Sequence, residues 1–104
     1  DNLSCPNCGA YKKFGFGNVC MKALSFVCNE CKSSHQAISH RCKSVTMSSW
    51  TMQEVKQLEN AGNEVCRQTW LGNAPPNGSG GRPKAGASPI EEYKRFIVMA
   101  YENR

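Results

Sequence analysis

Long hydrophobic runs are missing from this chain of 104 residues. No stretch approaches the roughly 20 apolar residues of a membrane-spanning helix, so none of it reads as a transmembrane segment. Internal repeats are missing too, which argues against a solenoid or propeller array. No positively charged, apolar, cleavable leader is visible, and the expectation from that is a reducing, cytoplasmic setting. Acidic residues are scarce in the first half: residues 1–52 hold two Asp/Glu against six Lys/Arg, whereas residues 53–104 hold six against seven. The formal net charge is +5. A basic amino-terminal half suits an anionic partner, whether nucleic acid, lipid head groups or an acidic protein carrying a nucleotide, and charge alone does not choose among them.

Cysteine, by contrast, is plentiful, with seven in the chain. Four fall in two close pairs, Cys5-Pro-Asn-Cys8 and Cys28-Asn-Glu-Cys31, with nineteen residues between the pairs. A two-residue gap lets both thiolates of a pair turn onto one ion, and the long gap closes a loop that the ion then pins. Four thiolates complete a tetrahedron around Zn²⁺ and leave no position for a substrate water, so the expected role is one structural zinc held by Cys5, Cys8, Cys28 and Cys31. A disulfide framework is the competing reading. The odd cysteine count and the absence of a secretory leader weigh against it. Cys20, Cys42 and Cys66 remain, and they read as small apolar core residues.

The rest of the chain predicts a small α+β domain. Residues 5–31 form the finger, with a polar turn at the first pair, a loop over Tyr11–Asn18 and a short strand over Leu24–Val27. Residues 32–71 carry a short helix to about Ile38, a second strand over Lys43–Met47 and two helices. Thr51-Met-Gln-Glu54 is a capping-box pattern that starts a helix near Met52, with Val55, Leu58 and Ala61 on one face. Gly62 suits an αL stop for that helix and Asn63 an N-cap for the next, which carries Val65, Cys66, Thr69 and Trp70. Trp50 and Trp70 read as core, and Glu54, Glu59 and Glu64 with Lys56 and Arg67 as a solvated face. Residues 72–87 are rich in Gly and Pro and read as a flexible loop. Residues 88–104 restart a helix, with Ser88 as N-cap, Pro89 at N1 and Glu91 at N3; Ile90, Tyr93, Phe96, Ile97, Ala100 and Tyr101 make a stripe that should fold back on the finger.

The residues after the second pair are more specific. The run Cys28-Asn-Glu-Cys31-Lys-Ser-Ser-His35, then Ser39-His40-Arg41-Cys42-Lys43-Ser44-Val45, then Gly62-Asn63 with Trp70 seven residues beyond that Asn, resembles the ArfGAP domain. The resemblance covers residues 5–71 well and the final helix loosely, and is nearest the branch with a shortened loop before the His-Arg-x-Lys-Ser segment. It implies a zinc-finger domain that accelerates GTP hydrolysis by Arf-family small GTPases, working on GTP-bound Arf at Golgi or vesicle membranes, with peripheral association supplied by a fuller protein. This chain departs from the family pattern in its longer gap between the pairs and in Ser33, where the family has Gly. The third departure bears on chemistry. The resemblance places the catalytic arginine five residues after the fourth cysteine, beside the histidine, and that position is Gln36.

An arginine finger sets a delocalised cation against charge growing on the transferring phosphoryl group. Gln36 can donate a hydrogen bond but carries no charge, so the expectation is Arf binding with weak or absent acceleration. Arg41 is the one nearby candidate for a substitute finger; its ordinary reading is a surface or phosphate-facing charge. His35 is expected to pack on, or hydrogen-bond near, the finger. Two other functions compete: an inert Arf-binding scaffold, and a GATA-like DNA-binding finger suggested by the Cys spacing. Against the latter, the segment after Cys31 holds only Lys32 and Arg41 as cations, a thin footprint for a DNA reader.

Overall fold

Cys28 begins the first helix of the protein. In the computed structural model, which describes residues 2–75 and 81–102, its sulfur accepts the Cys31 backbone N–H at 3.4 Å and caps the helix that follows. The expectations that fall on Pro76, Gly78, Gly80 and the last two residues of the carboxy-terminal helix lie outside the described residues. Ahead of that helix run two strands, β1 (Asn18–Cys20) and β2 (Ser25–Val27). The helix, α1, spans Asn29–Ala37, and β3 (Cys42–Ser44) returns to pair with β1. The sheet is antiparallel in the order β2-β1-β3, with Cys20 opposite Ser25 on one side and Cys42 on the other. Three helices follow: α2 (Met52–Glu59), α3 (Asn63–Trp70) and α4 (Ile90–Tyr101). The fold is the expected small α+β arrangement, and among its described residues no helix is long and apolar enough to cross a membrane.

The core is built largely from cysteines, aromatics and α4. Tyr93, Phe96, Ile97, Ala100 and Tyr101 of α4 are buried, and α4 packs along α1, so the apolar stripe does fold back on the finger. Burying a large apolar side chain contributes roughly 1.5–3 kcal/mol, which makes α4 a main source of cohesion for a domain of this size. By contrast, α2 has no fully buried residue and depends on its ends. Its capping box is complete: Thr51 Oγ1 accepts from Glu54 N at 3.1 Å and Glu54 Oε1 accepts from Thr51 N at 3.0 Å.

Several local expectations are corrected. Strand β1 takes only Asn18 from the expected Tyr11–Asn18 loop and adds Val19 and Cys20, where no strand was expected; it forms because it pairs on both sides, with β2 and β3. The strand expected over residues 43–47 ends at Ser44. There the Ser44 hydroxyl accepts Met47 N and the Ser48 hydroxyl accepts Ser44 N, each at 3.0 Å, so serine side chains capture the backbone and bend it. Gly62 does not stop α2 in αL geometry. It is the N-cap of α3, at φ 97° and ψ −173°, a conformation that suits glycine alone. A Cβ there would also meet Asn2 Oδ1 at 3.0 Å. Asn63 is therefore not a cap. Its buried amide accepts Phe26 N at 2.7 Å and donates to Ser4 O at 2.8 Å and Phe26 O at 3.0 Å, stitching α3 to β2 and to the amino terminus.

Ser88 does not close a capping box either. Its hydroxyl turns back to accept Lys84 N at 2.8 Å, and α4 starts with Pro89 as its N-cap. Trp50 and Trp70 are both half-buried: Trp70 packs against the edge of the core, its ring centre 5.4 Å from that of Tyr101, whereas Trp50 stays outside the core with Lys43 over its ring. The solvated face loses two members, since Glu54 is half-buried in an ion-pair cluster and Arg67 donates to Ser4 O at 3.0 Å.

Candidate metal centre

The first cysteine pair is presented by a tight turn. Gly9 N bonds Cys5 O at 2.9 Å, Cys5 N bonds Ala10 O at 2.7 Å, and Gly9 takes φ 78° so that the chain can reverse beneath the sulfurs. The second pair sits on the first turn of α1. The two meet: the sulfurs of Cys5, Cys8, Cys28 and Cys31 all lie within 4.8 Å of one another, and all four residues are buried. Cys8 Sγ and Cys28 Sγ are 3.5 Å apart. Two sulfurs bound at about 2.3 Å in a tetrahedron would stand roughly 3.8 Å apart, so the donor set fits a zinc ion with little movement.

Electrostatics point the same way. Burial opposes ionisation of Cys5, but hydrogen bonds from Cys28, Cys31 and Cys8 outweigh it and draw its pKa well below the ordinary thiol value. Cys31 is pushed well above that value, chiefly by its bond to Cys28. Four sulfurs so close cannot all ionise without a cation among them, and a divalent metal is what would let them.

One residue that holds the turn was not anticipated. Arg82 lies in the Gly/Pro segment expected to be a flexible loop, yet it is buried. Its guanidinium donates to Asn7 O at 2.7 Å, Pro6 O at 2.5 Å and Pro75 O at 2.6 Å, and lies 4.8 Å from the centre of the Phe96 ring. It thereby clamps the carbonyls of the first cysteine turn. Arg82 and Lys84 are the two cations of that Gly/Pro stretch, and an arginine there is the faint sequence signal that was available.

Gln36 is exposed on the last turn of α1, where its side chain can meet a partner. His35, beside it, is fully buried. Its Nε2 is 3.1 Å from Asn7 Nδ2, within the first cysteine turn, so it does hydrogen-bond at the finger. Arg41 is exposed but engaged: its Nη2 donates to Glu54 Oε2 at 2.8 Å, while Lys43 Nζ donates to Glu54 Oε1 at 2.7 Å. The Lys43 hydrogen bond, with help from Thr51 N, lowers the Glu54 carboxyl pKa to about 2. Because that folded-state value is depressed, the stabilisation is present above the ordinary carboxylate range and is lost as pH falls toward about 2. Carbon-detected NMR over the acid range in which the fold persists should find the Glu54 carboxylate still ionised in the parent, and titrating at higher pH, toward the ordinary range, in Lys43→Met.

Comparison with known proteins gives a consistent result. The ArfGap family model, described as "Putative GTPase activating protein for Arf", matches residues 1–104. The "Probable ADP-ribosylation factor GTPase-activating protein AGD14" of Arabidopsis thaliana is 40% identical over 72 residues, 69% of this chain and 11% of that protein. The "Arf-GAP domain and FG repeat-containing protein 1" of Homo sapiens is 46% identical over 56 residues, 52% of this chain and 10% of that protein. The chain thus spans about a tenth of the length of these curated relatives. Among solved structures, the ArfGap domain of human RIP superposes with a TM-score of 0.78 at 35% identity, covering 98% of this chain and 73% of that one.

Proposed function

This chain belongs to the ArfGap family, and from that premise we propose that it binds GTP-loaded Arf-family small GTPases through a zinc-organised domain and regulates their GTP hydrolysis. The observation that carries this reading is the whole-length family match joined to four buried thiols at metal-ligand spacing. A structural zinc at Cys5, Cys8, Cys28 and Cys31 would fix the start of α1, and α1 carries the exposed position at which an arginine finger would act. Zinc held by four sulfurs supplies rigidity and no reactive site.

One observation favours a second reading within the same proposal. Gln36 is uncharged, and Arg41 is committed to Glu54. An uncharged amide can orient a water but supplies little of the electrostatic stabilisation that a guanidinium gives the transition state. We therefore read the chain as an Arf-binding regulator of weak catalytic effect, acting in the cytoplasm at the membranes where its partner resides. Calorimetric titration against an Arf protein loaded with a non-hydrolysable GTP analogue or with GDP tests the binding. Preferential binding to the GTP form is expected. Equal failure with both forms, or salt-dependent binding to duplex DNA in their place, would overturn it.

A further inference from the structure

A second cluster of metal-ligating side chains lies outside the four-thiol centre. Cys20 Sγ and ring nitrogens of His35 and His40 all lie within 4.8 Å of one another, and all three residues are buried. They come from three separate places: Cys20 ends β1, His35 sits in the last turns of α1, and His40 precedes β3. Cys42 is directly opposite Cys20 in the β1–β3 ladder, so the two side chains rise from the same face of the sheet. Three buried donors thus meet, and a fourth, the half-buried Cys42, stands beside Cys20 with its thiol toward Lys32 O at 3.8 Å and His40 O at 3.9 Å.

We propose that Cys20, His35 and His40 hold a second zinc ion, distinct from the four-thiol centre, with the Cys42 thiol turning in from the paired strand to complete a Cys₂His₂ set. The His35 and His40 Nδ1 atoms face each other at 2.9 Å. Two nitrogens bound to zinc at about 2.0 Å in a tetrahedron stand roughly 3.3 Å apart, so the rings need only part by a few tenths of an ångström. The surroundings are those of a metal-bound histidine pair. His40 Nε2 is 2.6 Å from Glu102 Oε2, which orients the ring with Nδ1 free to bind, the carboxylate–histidine arrangement that commonly backs a metal ligand. His35 Nε2 faces the Asn7 amide, and Asn7 Oδ1 accepts from the Tyr101 hydroxyl at 2.6 Å. With His35 bound through Nδ1, its Nε2 carries the proton. Exchanging the Asn7 amide oxygen and nitrogen, which are not distinguished by shape, lets Asn7 accept that proton and donate to Tyr101. Thiolate and imidazole donors, three of them buried and the fourth half-buried beside them, suit zinc. Such an ion would tie the end of α1, with Gln36, to β1 and β3, and so hold the segment from Gln36 to Arg41 in one conformation.

Without a metal the same contacts form a hydrogen-bonded chain, Asn7 to His35 to His40 to Glu102, and one of the two facing Nδ1 atoms must carry the proton between them. With a metal neither does. That difference supplies a test that needs no variant. Long-range ¹H–¹⁵N NMR on the zinc-loaded chain, prepared under reducing conditions, should show both His35 and His40 protonated only at Nε2. Elemental analysis after dialysis against a mild chelator should give two zinc ions per chain, falling to one in Cys20→Ala and in Cys42→Ala. Replacing zinc by Co²⁺ should give thiolate-to-cobalt absorption that drops by about a third in the Cys20→Ala, Cys42→Ala double variant, since two of six metal–sulfur bonds are lost. A single zinc per parent chain, a proton on either facing Nδ1, a Cys20–Cys42 disulfide by mass spectrometry, or retention of two zinc ions in the double variant would each overturn the proposal.

Discussion

Replacing Gln36 by Arg is expected to raise single-turnover GTP hydrolysis on an Arf protein by about 10³- to 10⁵-fold over the parent chain, the range an arginine finger supplies in trans. The proposed finger position is open to a partner. Gln36 is exposed on the last turn of α1, and α1 is anchored at its start by Cys28 and Cys31 and along its side by α4. A guanidinium there would bring a delocalised charge and a fixed fork of donors to the partner's phosphates, where an amide brings neither. Binding of the GTP-loaded partner should change far less than the rate, because the missing interaction belongs to the transition state. A Glu54→Gln variant separates the other route. It loosens Arg41 from its ion pair, so a rise in hydrolysis in that variant would identify Arg41 as the finger. A parent chain that already accelerates hydrolysis as strongly as its Q36R variant would refute the assignment of Gln36 to the finger position.

What could be read from the sequence was local chemistry with a fixed spacing. The two cysteine pairs, the Thr51–Glu54 capping box and the α4 stripe each carry their meaning within a few residues, and the structure forms all three. What could not be read depended on distant partners. Strand β1 exists because β2 and β3 flank it. Asn63 looks like a cap until Phe26 and Ser4 compete for its amide, and Ser88 until Lys84 N claims its hydroxyl. Arg82 looks like a loop residue until the carbonyls of Pro6 and Asn7 are brought beneath it from 75 or so positions earlier in the chain. Cys20 and Cys42, expected as small apolar filler, acquire other company for the same reason: ladder register pairs them across β1 and β3, and α1 delivers His35 beside Cys20.

Cys8→Ser or Cys28→Ser should abolish the cooperative fold. Structural zinc contributes on the order of 10–16 kcal/mol in small zinc-binding peptides, whereas whole domains are stable by about 5–15 kcal/mol, so losing the ion removes most or all of the margin. The loss should be severe here because an ion held by all four thiols would tie the turn at Cys5–Cys8 directly to the start of α1. Serine cannot substitute as a soft anionic ligand, and it leaves three sulfurs crowded in a buried space. Acid should act in the same direction, since protonating the thiolates competes with the metal and stability falls as pH drops. Cys66→Ser is the matched comparison. Cys66 is equally buried but lies against the Tyr101 hydroxyl at 3.4 Å, where a serine hydroxyl can keep a hydrogen bond, so its cost should be about 1–2 kcal/mol. Circular dichroism with a zinc-release dye reads both quantities at once. A Cys8→Ser chain that melts as sharply as Cys66→Ser, at a similar temperature, would mean that the four thiols do not hold a structural ion.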